Sequence, residues 1–262
     1  MTPPINHRCT CVPFMRVATG NQLVQREVQD KENEISALKQ MLTPALVKGC
    51  LISADAMHTQ RWFCRKIKLY EGDYLLIAKN NQPTIRQNLE LFFEDPEADR
   101  STWQSATFVD KGHGRLEKRV ITTSTEMRDW FAKEWCGIEQ VFRVQRWVTK
   151  KGRTSYEVVY GISSLSPKQA DAHLIGELVR AHWAIENRLH WRRDVTMQED
   201  HSQVRTHNAP ALLALLNSTI LALMDLLGVS NVPAQMRVYD ARPWQALYLL
   251  LATLGSLPLE CW

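Results

Sequence analysis

The chain has 262 residues, 45% hydrophobic and 23% charged, a balance that allows a large core and excludes a low-complexity or wholly disordered protein. A net charge of +4 is too mild to argue by itself for nucleic acid. The six cysteines are scattered and Cys9 and Cys11 lack zinc spacing, which disfavours a zinc module or a disulfide scaffold and points to reduced thiols.

In chain order, residues 1–14 carry three prolines and no periodicity and are read as an unstructured leader. A short strand is expected over Met15–Thr19. After the turn signal at Gly20 and Asn21, a second follows over Leu23–Val28. Glu32–Leu42 is expected to be helical, with Ile35, Leu38 and Leu42 on one side and Pro44 just beyond. Cys50–Ala54 reads as a buried strand ending at Asp55, followed by a helix over Thr59–Leu69, a strand over Tyr74–Ala78 and a helix after Pro83. Residues 15–97 therefore read as an α/β layout with at least two parallel strands.

From residue 98 to 165 the period changes to β, with segments at 107–109, 116–123, 140–149 and 156–163 separated by Gly-containing turns. This block is long enough for its own antiparallel sheet. Residues 166–262 return to helix, with Ser166 expected to cap a helix starting at Pro167. Further helices are expected over Asn208–Leu227, ended by Gly228, and Pro243–Leu254, ended by Gly255. No apolar run is read as reaching membrane-spanning length and no signal-peptide stretch is seen, so a cytoplasmic protein without a membrane partner is expected.

One stretch, Arg180–Arg205, crowds His, Trp and Arg around Glu186. Leu174, Leu178, Ala181, Ile185 and Leu189 recur at helical spacing as a core stripe, with Glu186 at its rim. His182, Glu186 and Arg193 fall at i, i+4 and i+11, near one helical line. An acid so placed among cations suits a metal- and phosphate-handling site, and equally an ordinary amphipathic helix with a salt bridge. Asp55, at the C-terminal tip of a buried strand, lies where open α/β sheets keep their sites, although a turn or helix cap is the plain alternative, with Thr59 a rival cap. Taken together, the two carboxylates can hold Mg²⁺, with water and phosphate oxygens completing its shell.

These residues fall in a series of motifs: Ile52–Met57 with Gln60, Gly72–Pro83, Gly112–Glu117, His182–Trp191 and Asp194–Asp200. In that order, over roughly residues 20–230, the chain resembles insertion-sequence transposases of the H-repeat-associated type, members of the DDE superfamily. The resemblance implies an RNase H-like core with a β-rich insertion and a helical C-terminal part, and Mg²⁺-dependent strand cleavage and transfer at insertion-sequence ends. It makes Asp55 the second Asp of the triad and Glu186 the Glu, both metal ligands. His182 stands where the superfamily often has Arg, and Arg193 where it often has a Lys near the cleaved phosphate. Expected DNA contacts are Lys79, Arg115, His182, Arg188, Arg192 and Arg193, with Asp194 and Glu199 as outer helpers to the metal. The implied partners are double-stranded DNA and a second copy of the chain, and Mn²⁺ is expected to substitute for Mg²⁺.

The pattern departs from the family at its start. Such enzymes carry a first Asp ahead of a strand like Leu23–Val28, whereas the first Asp here is Asp30. The chain is therefore expected to be an N-terminally truncated copy lacking one metal ligand, inactive as it stands, with a possible loss of the first strand that would expose a sheet edge. Two alternatives are a non-catalytic DNA-binding remnant and an unrelated metal-dependent nuclease; the nuclease fits the two acids but not the motif series. The carboxylates of Asp55 and Glu186 are expected within about 8 Å of one another.

Overall fold

The computed structural model describes residues 11–16, 21–27, 34–54, 56–112, 114–185, 192–204, 206 and 208–253. The chain divides into two compact units, one of residues 28–183 and the other of residues 1–27 with 184–262.

The 28–183 unit is built on a six-stranded mixed sheet. Its strands are β3 (Leu51–Ala54), β4 (Asp73–Ala78), β5 (Gln104–Gly112), β6 (Arg115–Ser124), β7 (Gln140–Lys150) and β8 (Arg153–Ser163), in the order β3-β4-β8-β7-β6-β5. Of these, β3 and β4 are parallel and every other pair is antiparallel. The expected parallel pair is therefore present. The β-rich block does not form a separate sheet, because β8 pairs with β4 through Tyr160–Ser163 and continues the same sheet. A strand already buried by its neighbours' apolar alternation gains more by extending a sheet than by ending one at a free edge.

Helices cover both faces. Between the strands lie α1 (Glu34–Met41), α2 (Pro44–Val47), α3 (Arg61–Leu69), α4 (Pro83–Glu94) and α5 (Arg128–Phe131). On one face Phe93 of α4 stacks against Tyr160 with ring centroids 6.2 Å apart. The opposite face carries Leu75, Ile77, Ile121, Phe142, Val144 and Val159, and α6 (Ala172–Ile185) buries Ala172, Ile175 and Val179 in that cluster. Gly176 permits the close approach: a Cβ there would lie 2.6 Å from Phe108 Cε2 and 2.9 Å from Ile121 Cδ1.

Two expectations about this helix need correction. It begins at Ala172, because Ser166 spends its hydroxyl on Gln169, whereas the Asp171 carboxylate accepts from the Leu174 N–H at 2.8 Å and caps the first turn. The buried stripe is Ala172, Ile175 and Val179, one position out of register with the predicted one, and Leu174 is exposed. Of the predicted set Leu178 packs against this core in part, and the side chains of Ile185 and Leu189 lie outside the described residues. The expected line from His182 through Glu186 to Arg193 runs through residues 186–191, which lie outside the described residues; Arg193 itself lies in the π-helical turn Arg192–Thr196.

The other unit contains a hairpin of β1 (Cys11–Arg16) and β2 (Asn21–Glu27), antiparallel and separate from the large sheet. The first strand thus starts four residues before Met15, inside the segment read as a leader. The hairpin lies beside α7 (Ala209–Leu226), which is followed by α8 (Val232–Ala241) and α9 (Pro243–Thr253). Leu221 and Met224 of α7 pack on Val232, with Met197, Met236 and Tyr239 around them. As expected, Gly228 follows α7 with φ of +69°; Gly255 lies outside the described residues. The reading that no apolar run reaches spanning length is corrected by α7, which is long and apolar enough to cross a membrane by length and composition alone. In the structure it is anchored by polar bonds from Asn217 and Asp225.

Candidate functional site at the strand tips

The C-terminal ends of β3 and β4 are braced by hydrogen bonds rather than by a regular helix cap. After position 55 the chain makes one 3-10 turn, Ala56–His58, before α3. The Ala56 carbonyl accepts from Thr59 N–H at 2.9 Å and from the Asn81 side-chain amide at 2.6 Å, which ties this turn to the loop after β4. Thr59 is buried and donates its hydroxyl to the Ile77 carbonyl at 2.6 Å, so it is a strut to β4 rather than the expected helix cap. Lys79 is exposed on that same loop.

Helix α6 meets this end of the sheet through one bond. His182 Nδ1 lies 3.1 Å from Ser53 Oγ, although the residues are 129 positions apart. Ser53 pairs with Leu75 in the parallel register, and Leu75 belongs to the face that α6 covers. Asp55, Glu186 and Arg188 lie outside the described residues. Among the described residues no three His, Cys, Asp or Glu side chains are grouped to hold a metal ion.

A charge network that the sequence reading missed secures the same helix. Glu117 on β6 has a side chain only 1% exposed and meets Arg146 Nε at 2.6 Å, Arg119 Nη2 at 2.5 Å and Arg115 Nη2 at 3.2 Å. Burial pushes its pKa up, but the Arg146 hydrogen bond and the charges of Arg119 and Arg146 outweigh that, leaving the carboxyl below its ordinary range. Arg119 also pairs with Asp110, and Asp110 in turn meets Arg180 of α6 at 3.4 Å. Arg146 lies over the Trp183 ring at 5.9 Å. Strand alternation puts Arg115, Glu117 and Arg119 on one face, a signal available in the sequence, but only the cross-strand register supplies Arg146.

The predicted DNA contacts fall into distinct environments. Arg115 is about half exposed at the hairpin end of β6 and pairs with Glu117. Arg192 makes a two-bond pair with Asp225 of α7, at 2.7 and 2.9 Å. Arg193 is buried and grips Glu199 through two nitrogens, and Glu199 also accepts from Asn217 at 3.1 Å. Burial raises the Glu199 pKa, and the bonds from Arg193 and Asn217 more than reverse it. The guanidiniums of Arg192 and Arg193 thus face acids of their own unit, and Glu199 is committed to this clamp.

A mixed sheet whose parallel strand tip is tied to a late helix, with the order of motifs described above, defines a class. The chain matches the transposase DDE domain over residues 13–223 and belongs to that family, whose domain is RNase H-like. Among curated relatives it is 33% identical over 207 residues to "Putative transposase YncI" of Escherichia coli O157:H7, covering 78% of this chain and 53% of that one. It is 32% identical over 197 residues to "H repeat-associated putative transposase YhhI" of Escherichia coli strain K12, covering 72% and 51%. It is 33% identical over 197 residues to "Putative protein YbfL" of the same strain, again covering 72% and 51%. The chain spans about half the length of these relatives.

Proposed function

We propose that this chain carries a two-carboxylate portion of a transposase site, in which Asp55 and Glu186 hold Mg²⁺ against DNA at insertion-sequence ends. The observation that supports the reading is the His182–Ser53 hydrogen bond. In the sequence Asp55 follows Ser53 by two positions and Glu186 follows His182 by four, spacings that share a face in a strand and in a helix respectively. Two carboxylates offer hard oxygen donors, which suit Mg²⁺ or Mn²⁺ rather than a softer metal. When bound, such an ion polarises a phosphate oxygen and lowers the pKa of a water.

The protein's own part is to bind and position. Lys79, Arg115 and Arg188 contact phosphate, while Arg192 and Arg193 hold the segment after Glu186 to α7 through Asp225 and Glu199. His182 keeps the helix against β3. Strands β5–β8 serve as the β-rich insertion between the second acid and the final Glu, and α7–α9 as the helical C-terminal part. Residues 1–26 of this sequence contain no Asp or Glu, so the proposed ligands are Asp55 and Glu186. We expect binding of both the metal ion and DNA at these residues.

The test replaces Mg²⁺ by Fe²⁺ and generates hydroxyl radicals, which cut the polypeptide beside a bound iron. Cuts near residues 55 and 186 that disappear in Asp55→Ala and with excess Mg²⁺ are expected. Cuts elsewhere, or unchanged cuts in Asp55→Ala, would overturn the site. Mg²⁺-dependent nicking of duplex DNA above the Asp55→Ala control would extend the reading from binding to strand cleavage.

A further inference from the structure

The Gly112–Glu117 motif and the turn at Lys150–Gly152 have no part in the metal reading, yet both sit at the ends of unusually long hairpins. β8 pairs with β4 only over Tyr160–Ser163. Residues 153–159 of β8, with the matching parts of β7, β6 and β5, therefore run past the end of β4 by about 23 Å at roughly 3.3 Å per residue. This four-stranded extension concentrates charge. Residues 109–119 and 146–157 hold eight Lys and Arg against three Asp and Glu, a net +5, while the whole chain carries +4. The rest of the protein is thus close to neutral, and the basic character of the chain resides here.

The three acids do not neutralise the surface. Asp110, Glu117 and Glu157 are engaged by Arg115, Arg119, Arg146 and Arg180. Lys111, Lys118, Lys150, Lys151 and Arg153 are exposed and have no acidic partner among the described residues. Lys118 is held over the Trp147 ring at 5.6 Å, and Trp147 packs on Tyr156 at 5.1 Å. In the ladder Arg115 faces Lys150 and Lys150 faces Arg153, so three cations stand abreast across β6, β7 and β8. Like charges directly opposed destabilise a sheet, so folding alone does not favour this row. A polyanion laid along it relieves the repulsion.

We infer that the distal ends of β5–β8 form a phosphate-backbone contact surface for duplex DNA, extending well beyond Arg115. The inference rests on the DNA-binding reading above but not on the metal site. It is tested with the full chain and a labelled 30-base-pair duplex, following binding by fluorescence anisotropy between about 50 and 300 mM salt, a range over which counterion release dominates. The triple variant Lys111→Gln, Lys150→Gln, Arg153→Gln should lower the slope of log K against log salt by about 2.7, roughly 0.9 per lost contact. At 0.1 M salt this is roughly an eightfold loss for each contact. A charge-matched control, Lys48→Gln, Lys133→Gln, Lys168→Gln, changes exposed cations elsewhere in the same unit and should keep the wild-type slope. Equal slopes for wild type and the hairpin variant, or an equal loss in the control, would overturn the assignment of this surface. Tighter binding of an RNA duplex of the same sequence would overturn the choice of DNA. Absence of binding by the wild-type chain would refute the DNA-binding reading itself, a result distinct from a wild type that binds and a variant that binds equally well.

Discussion

Replacing Glu117 by Gln removes one negative charge from among three arginines while keeping the size of the side chain. In the native chain its carboxylate is 1% exposed, Arg119 is 12% exposed and Arg146 is 29% exposed. Breaking a buried ion pair by neutralising one partner costs about 3–5 kcal/mol. Arg119 retains Asp110 and Arg146 retains Glu157, and Arg115 and Arg146 are partly solvated, so the expected loss is nearer 2–3 kcal/mol. Urea unfolding followed by far-UV circular dichroism should show a lower midpoint with an unchanged slope. The pH dependence adds an independent test. Because the folded carboxyl titrates below its unfolded value near 4.5, its stabilisation is fully present above that pH and fades as the pH falls through the folded value. The gap between wild type and Glu117→Gln should therefore be largest at pH 7 and shrink below about pH 4.5. A loss under about 1 kcal/mol, or a gap constant with pH, would refute the placement of Glu117 as the hub.

Gly161→Ala should destabilise or prevent folding, since its Cβ would lie 2.2 Å from Phe142 Cζ and 2.5 Å from the Leu76 carbonyl; a soluble variant with an unchanged melting temperature would contradict the β4-β8-β7 register. Arg193→Ala should cost about 3–5 kcal/mol by stranding Glu199, and Arg193→Lys should recover only part because a lysine cannot reproduce the two-bond fork. The same Arg193→Ala change should leave the salt slope of DNA binding unaltered once the protein is folded, whereas a slope lowered by about 0.9 would restore Arg193 to the phosphate contacts.

Local signals carried the element order well. Period-two runs gave β4 and β6–β8 within a few residues, and Pro44, Pro83 and Gly228 marked helix boundaries where the structure has them. What periodicity could not carry was partnership between distant segments. Whether β5–β8 close on themselves or join β4 depends on Tyr160–Ser163 choosing β4 as a neighbour, a contact some 85 positions long that no local pattern encodes. The stripe on α6 was misjudged for a related reason. Leucines were taken as the buried set, but Gly176 brings the helix so close to the sheet that the smaller Ala172 and Val179, with Ile175, line the contact and Leu174 is turned outward. The acids that Arg192 and Arg193 meet, Asp225 and Glu199, lie 33 and 6 positions away and reach them through the π turn and α7, so no local pattern showed these pairs. At the site itself, the motif order led to the right family, and the Ser53–His182 contact 129 positions apart is the physical counterpart of two motifs that the sequence shows only as separate words.

The last turns of α6 are tied to the 28–183 sheet at three places: Arg180 to Asp110, His182 to Ser53 and Trp183 beneath Arg146. Each tie reaches a different strand, β5, β3 and β7, so the helix is fixed against rotation as well as translation. An amphipathic helix that only covered a core would be held by Ile175 and Val179 and would need none of these polar bonds, each of which loses much of its gain to desolvation. Under the proposed function their concentration just before position 186 suits a ligand-bearing helix, since a carboxylate displaced by about 1 Å loses much of its hold on a metal. The three ties thus position the end of α6 closely against the sheet. On the proposed function that helix presents Glu186 to a metal ion, and the Fe²⁺ cutting and nicking assays separate metal binding from turnover in one protein.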